Sequence, residues 1–143
     1  MSMTWVQYLL GKLAEEASEV AKEAMKCQQQ GVASPWKGRA AIFELRNEIV
    51  EMLAVAQTLG DQNSVSDALG PYSMIPQQSD DVDDDIYDIK YSKIDRMCYY
   101  AMFAYKSGNL TLTIPEWNFV RAAAIRYGAQ NNMAYIGDIS FRG

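Results

Sequence analysis

Apolar residues recur at helical spacing through four stretches of the chain, and in the first two of them acids run beside the apolar positions. In the first stretch, Leu9, Leu13, Val20 and Ala24 form one stripe. Thr4 is placed to cap this helix, while Gly31 and Ser34-Pro35 end it after about Gln29. Gly11 weakens the helix by about 1 kcal/mol relative to alanine without interrupting the pattern. At about 100° per residue, Glu16, Glu19 and Glu23 fall within roughly 60° of one another and border the stripe. A solvating charge would instead lie opposite it. The second stretch runs from near Lys37 to Leu59 and stops at Gly60. Its stripe is Leu45, Ile49, Met52 and Ala56, with Glu44, Glu48 and Glu51 along the edge.

A third helix is expected over Ile86–Tyr105, followed by a turn at Gly108-Asn109. Thr113 to Glu116 has the form of a capping box with Pro115 in the first turn, opening a fourth helix to Tyr127 that Gly128 stops. Residues 61–85 read as an acidic connector marked by Gly70-Pro71, Pro76 and the aspartates from Asp80 to Asp85. The tail, 129–143, has no strong pattern; Tyr135 to Phe141 is either a short strand or a segment that docks on a neighbour. With no repeats and little alternation, the expectation is one all-α domain over 1–143, a bundle of four to five helices.

A chain of 143 residues is long enough to bury a sizeable core. The net charge of −5, without a basic run, argues against nucleic acid or an anionic membrane as partner. There is no histidine, which removes His-based triads, imidazole zinc sites and His general bases. Any catalysis must then rest on carboxylates, Lys, Tyr or metal-bound water. Cys27 and Cys98 each lie in a helix-like stretch, which suits two buried thiols in a reducing compartment. No stretch has 18 apolar residues and no signal peptide opens the chain, so a soluble, cytoplasmic protein is expected.

The acids carry the chemistry. Glu16/Glu19 and Glu48/Glu51 are E-x-x-E pairs, which put two carboxylates on adjoining positions of one helix face. One such pair is ordinarily a solvated face of good helix formers. Two pairs bordering apolar stripes on successive helices point to a site for Mg²⁺ or Mn²⁺, which take hard oxygen ligands and bridge to phosphates. A di-iron bundle is excluded because its E-x-x-H motif needs histidine. Lys90, Lys93 and Arg96 are either a solvated face or a phosphate contact. Trp36, with Lys37 and Arg39, is either loop packing or a stacking partner for a base. The aspartate run suits the N-terminus of the third helix, the alternative being that Asp84, Asp85 or Asp88 joins the metal site.

Glu15-Glu16-x-x-Glu19, followed by Glu48-x-x-Glu51-x-Leu53-Ala54-Val55, resembles the E-E-x-x-E … E-x-x-D signature of the MazG-like all-α nucleoside triphosphate pyrophosphohydrolases. Lys12-Leu13-Ala14 adds to the resemblance, which covers roughly Lys12 to Leu59. The chain departs from the pattern where Val50-Glu51 stands for Gly-Asp, and in the long connection between Glu19 and Glu48. The resemblance implies cleavage of a nucleoside triphosphate between the α and β phosphates, with two or three Mg²⁺ or Mn²⁺ ions held by Glu16, Glu19, Glu48 and Glu51. Glu15 would orient a ligand or the water, and Lys90, Lys93 or Arg96 would steady the pyrophosphate. It also implies a homodimer or homotetramer in the cytoplasm, the host's if the protein is phage-encoded, and dGTP is the leading substrate. A non-enzymatic helical adaptor, its acids meeting a partner's basic face, is the rival expectation.

Overall fold

The computed structural model describes residues 2–33, 35–36, 39–62 and 84–143. Among them are the helices α1 (Trp5–Gln30), α2 (Ala41–Gly60), α3 (Asp84–Lys106) and α4 (Ile114–Gln130). Very short strands accompany them: β1 (Met3–Thr4) runs parallel to β4 (Leu110–Thr111), and β2 (Pro35–Trp36) antiparallel to β3 (Arg39–Ala40). The fold is mostly helical, as the spacing predicts. No described helix is long and apolar enough to cross a membrane.

Local chemistry explains the helix ends. Gln7 donates its backbone N–H to Thr4 Oγ1 at 3.2 Å, and Thr4 N–H donates to Gln7 Oε1 at 2.8 Å, closing a capping box on α1. Gly31 ends the helix at φ 95°, a conformation that disfavours a side chain. Thr113 and Glu116 repeat the box on α4, with a proline in the first turn. α2 starts later than Lys37, at Ala41, because the β2–β3 pairing takes up the chain before it. Gly128 does not stop α4, which continues to Gln130. Gly128 faces the Tyr99 ring, and an added Cβ would stand at ordinary contact distance, 3.4 Å, from Tyr99 Cε2.

The core is concentrated between α3 and α4. Met97, Cys98, Ala101, Met102 and Tyr105 of α3 meet Val120, Ala123 and Ala124 of α4, and Trp5, Leu9, Val55 and Leu59 close the cluster from α1 and α2. Leu110 and Leu112 seal one end. The tail forms no strand. Ile136 is buried in the core of its own chain, Phe141 lies edge-on to Trp117 at 6.0 Å, and the Arg121 guanidinium donates to Gly137 O. Cys27 and Cys98 are free and buried, as expected.

The stripes on α1 and α2 are oriented differently from expectation. Leu45, Ile49, Met52 and Ala56 are only half-buried, whereas Ala41, Val50, Ala54, Val55 and Leu59 are buried. α2 is apolar on two arcs, and α1 and α3 cover the arc that also carries the acids. On α1, Leu9 is buried, Leu13 and Val20 half-buried, and Ala24 exposed. Glu16 and Glu23, at 4% and 3% exposure, lie within the buried face instead of along its border.

Candidate active site

Heptad-like spacing sets Glu16 on the same face of α1 as Leu9 and Glu23, so packing α1 against α2 takes that carboxylate inside. Glu48 and Glu51, one turn apart on α2, meet it there. Glu16, Glu48 and Glu51 each offer a carboxylate oxygen, and the three atoms lie within 4.8 Å of one another. Two unit charges at that separation repel by about 3 kcal/mol at the effective dielectric suited to protein sites. Such a cluster needs compensation.

Part of it comes from α3. Lys93, itself buried, forms an ion pair with Glu16, and Arg96 Nη2 lies 3.4 Å from Glu51 Oε1. Among the described residues Glu48 has no cationic partner, and it responds by holding its proton. Burial first, then the like charges of Glu51, Glu16 and Glu19, push its carboxyl up to about 7. A group that would otherwise be fully ionised is thus half-protonated near neutrality.

These side chains line a pocket of about 330 Å³, at the lower end of the range of small-molecule sites. Its walls include Glu15, Glu16, Glu19, Glu48 and Glu51 with Lys12, Lys93 and Arg96. All five acids expected from the sequence therefore share one pocket. Glu15 is exposed and pairs with Lys12 at 3.2 Å, and Glu19 lines the wall without belonging to the close trio. The carboxylates outnumber the cations, and every donor of the trio is a hard oxygen. The set fits Mg²⁺ or Mn²⁺ and lacks the soft or imidazole ligands of zinc and copper sites.

The remaining candidate residues divide between the pocket and other places. Lys90 does not line the pocket; its Nζ lies 5.6 Å from the centre of the exposed Tyr91 ring. Asp84, Asp85 and Asp88 do not line it either. Asp84 and Asp85 sit in the first turn of α3, where the helix dipole favours them, and Asp85 pairs with Arg46. Lys37 lies outside the described residues, as do the side chains of Trp36 and Arg39. Lys93 and Arg96 reach the pocket, but bound to carboxylates. Lys12, Met97 and Tyr100 were missed as pocket residues. For Tyr100 the available signal was its spacing, seven residues after Lys93 on the same helix. The chain matches no protein-family model, no curated protein and no solved structure.

Proposed function

We propose that the protein is a metal-dependent nucleoside triphosphate pyrophosphohydrolase, cutting the α–β phosphate bond of a (d)NTP to give (d)NMP and pyrophosphate. One observation carries the reading: two helices deliver a close carboxylate trio, with two more acids, into a pocket that a third helix supplies with cations. Glu16, Glu19, Glu48 and Glu51 would hold Mg²⁺ or Mn²⁺. A bound ion of this kind neutralises phosphate charge and lowers the pKa of a coordinated water.

The chain's own residues do the rest. Lys93 and Arg96, paired with Glu16 and Glu51, keep the unloaded cluster tolerable. Were those carboxylates to hold a metal ion, Lys93 and Arg96 would be free to meet phosphate oxygens and to favour the departing pyrophosphate. Glu15, on the pocket rim with Lys12, orients a ligand or the attacking water. An assembly of two or four copies in the cytoplasm belongs to the same reading. The outward arc of α2, where Ile42 and Leu53 are exposed, supports the assembly. A guanine deoxynucleotide leads among the substrates.

The test is incubation with each of the eight common nucleoside triphosphates and Mg²⁺, followed by chromatography. Monophosphate with pyrophosphate is the expected product pair. Diphosphate with orthophosphate would mean attack at the γ position and would refute the assignment. No turnover together with no thermal shift on adding Mn²⁺ would favour an adaptor instead.

A further inference from the structure

The pocket is chemically two-sided. Toward α1 and α2 it is charged, whereas part of the α3 wall is made by Met97 and Tyr100. Arg96, Met97 and Tyr100 come three, four and seven residues after Lys93, spacings that bring them to the same pocket wall. Along the helix axis Tyr100 stands roughly 10 Å from Lys93, a separation on the scale of a nucleotide and too long for a phosphate group alone.

Tyr100 is held in place without being used up by packing. Its ring meets Tyr99 edge-on, centroids 5.4 Å apart at 89°. Tyr99 is buried, contacts Phe103 and Tyr127, and donates its hydroxyl to Ala134 O at 3.4 Å. The brace is therefore itself anchored in the core. Even so, Tyr100 leaves 49% of its surface exposed. Tyr100 also lines the acid pocket, so its ring is braced on one side and accessible on the other.

We propose that Tyr100 is the stacking platform for the base of the nucleotide, with the triphosphate running along α3 toward Arg96 and Lys93. The proposal rests on the pyrophosphohydrolase reading and adds to it a base-binding residue outside the acid motifs. Because every base has a π-face, stacking on one tyrosine gives affinity without choosing among bases. Tyr100 accordingly governs KM for purine and pyrimidine substrates alike, and selection of the base falls to other residues.

The experiment compares the parent with Tyr100→Ala and Tyr100→Phe on one purine and one pyrimidine triphosphate, reading KM and kcat separately. Inorganic tripolyphosphate, which has the phosphates without a base, serves as a competing inhibitor. Tyr100→Ala should raise KM by about five- to a hundredfold for both substrates, with kcat changed less than about threefold. Tyr100→Phe should stay within about twofold of the parent, and tripolyphosphate inhibition should be the same in all three. An unchanged KM in Tyr100→Ala overturns the proposal, as does an equal loss of tripolyphosphate binding, which would place Tyr100 in the phosphate half or the fold. An effect on only one base also overturns it, making Tyr100 a selector. If the parent cleaves nothing, the pyrophosphohydrolase reading fails separately, and Tyr100 is judged by the affinity of an α,β-methylene triphosphate analogue with Mg²⁺. Equal binding by parent and Tyr100→Ala, or no binding at all, then refutes the stacking role.

Discussion

The α3–α4 half and the α1–α2 half are built on opposite terms. Between α3 and α4 the interior is mainly Met97, Cys98, Ala101, Met102, Val120, Ala123 and Ala124, an apolar core with one buried acid, Asp95, paired to Arg126. The matching interior face of α1, after Trp5 and Leu9, buries Glu16 and Glu23, and α2 contributes the buried Glu44. Burying carboxylates costs free energy unless each is paired; Glu16 pairs with Lys93 and Glu23 with Lys26, so the acid half depends on ion pairs where the other half depends on apolar packing. A substitution in one half should change stability and leave the chemistry, and a substitution in the other should do the reverse.

The largest expected effect is on turnover. Glu48→Gln should reduce hydrolysis about a thousandfold or more, roughly 4 kcal/mol in the barrier, with the helical circular dichroism intact; Glu19→Gln should act in the same direction. Activity above about a tenth of the parent's, a barrier change of only about 1.4 kcal/mol, would remove these residues as ligands. Next comes Met102→Ala, in the middle of the apolar half and fully buried. It should cost about 3 kcal/mol and lower Tm by several degrees, while the thermal response to Mn²⁺ persists. Loss of that response would show that the halves do not separate.

Glu51 offers a smaller, more specific contrast. Glu51→Asp should keep measurable activity and need only modestly more Mn²⁺ for the same thermal shift, because only reach has changed. Glu51→Ala should need far more, having lost a ligand and left Arg96 unpaired. If Glu51→Ala titrates like the parent, another acid completes the site. The smallest effect concerns proton binding by the metal-free protein. The Glu48 carboxyl is raised from 4.5 to about 7, so folding favours its neutral form. The stability this contributes is complete below pH about 4.5 and is lost as pH rises through about 7. Thermal melts of the metal-free parent should therefore fall between pH 5 and pH 8 more than those of Glu48→Gln. Parallel declines would locate the titration elsewhere.

Much of the helical architecture and the pairing of the acids that line the pocket were legible in the chain because they depend on short-range rules. The capping boxes of Thr4 and Thr113, the helical spacing, and the placing of Glu16 beside Glu19 and Glu48 beside Glu51 each involve residues within a turn of one another. Which face of a helix is covered is a different kind of fact. α2 has two apolar arcs, and periodicity alone cannot say that Ala54 and Val55 go inside while Leu45 and Ile49 stay half-open. Only the tertiary structure decided that Glu16 is buried beside Lys93 and that Arg96 reaches Glu51. The same packing sets Tyr100 on the pocket wall. These contacts join residues far apart along the chain, and their energies depend on burial and on which charges come together, quantities that exist only once the helices have packed.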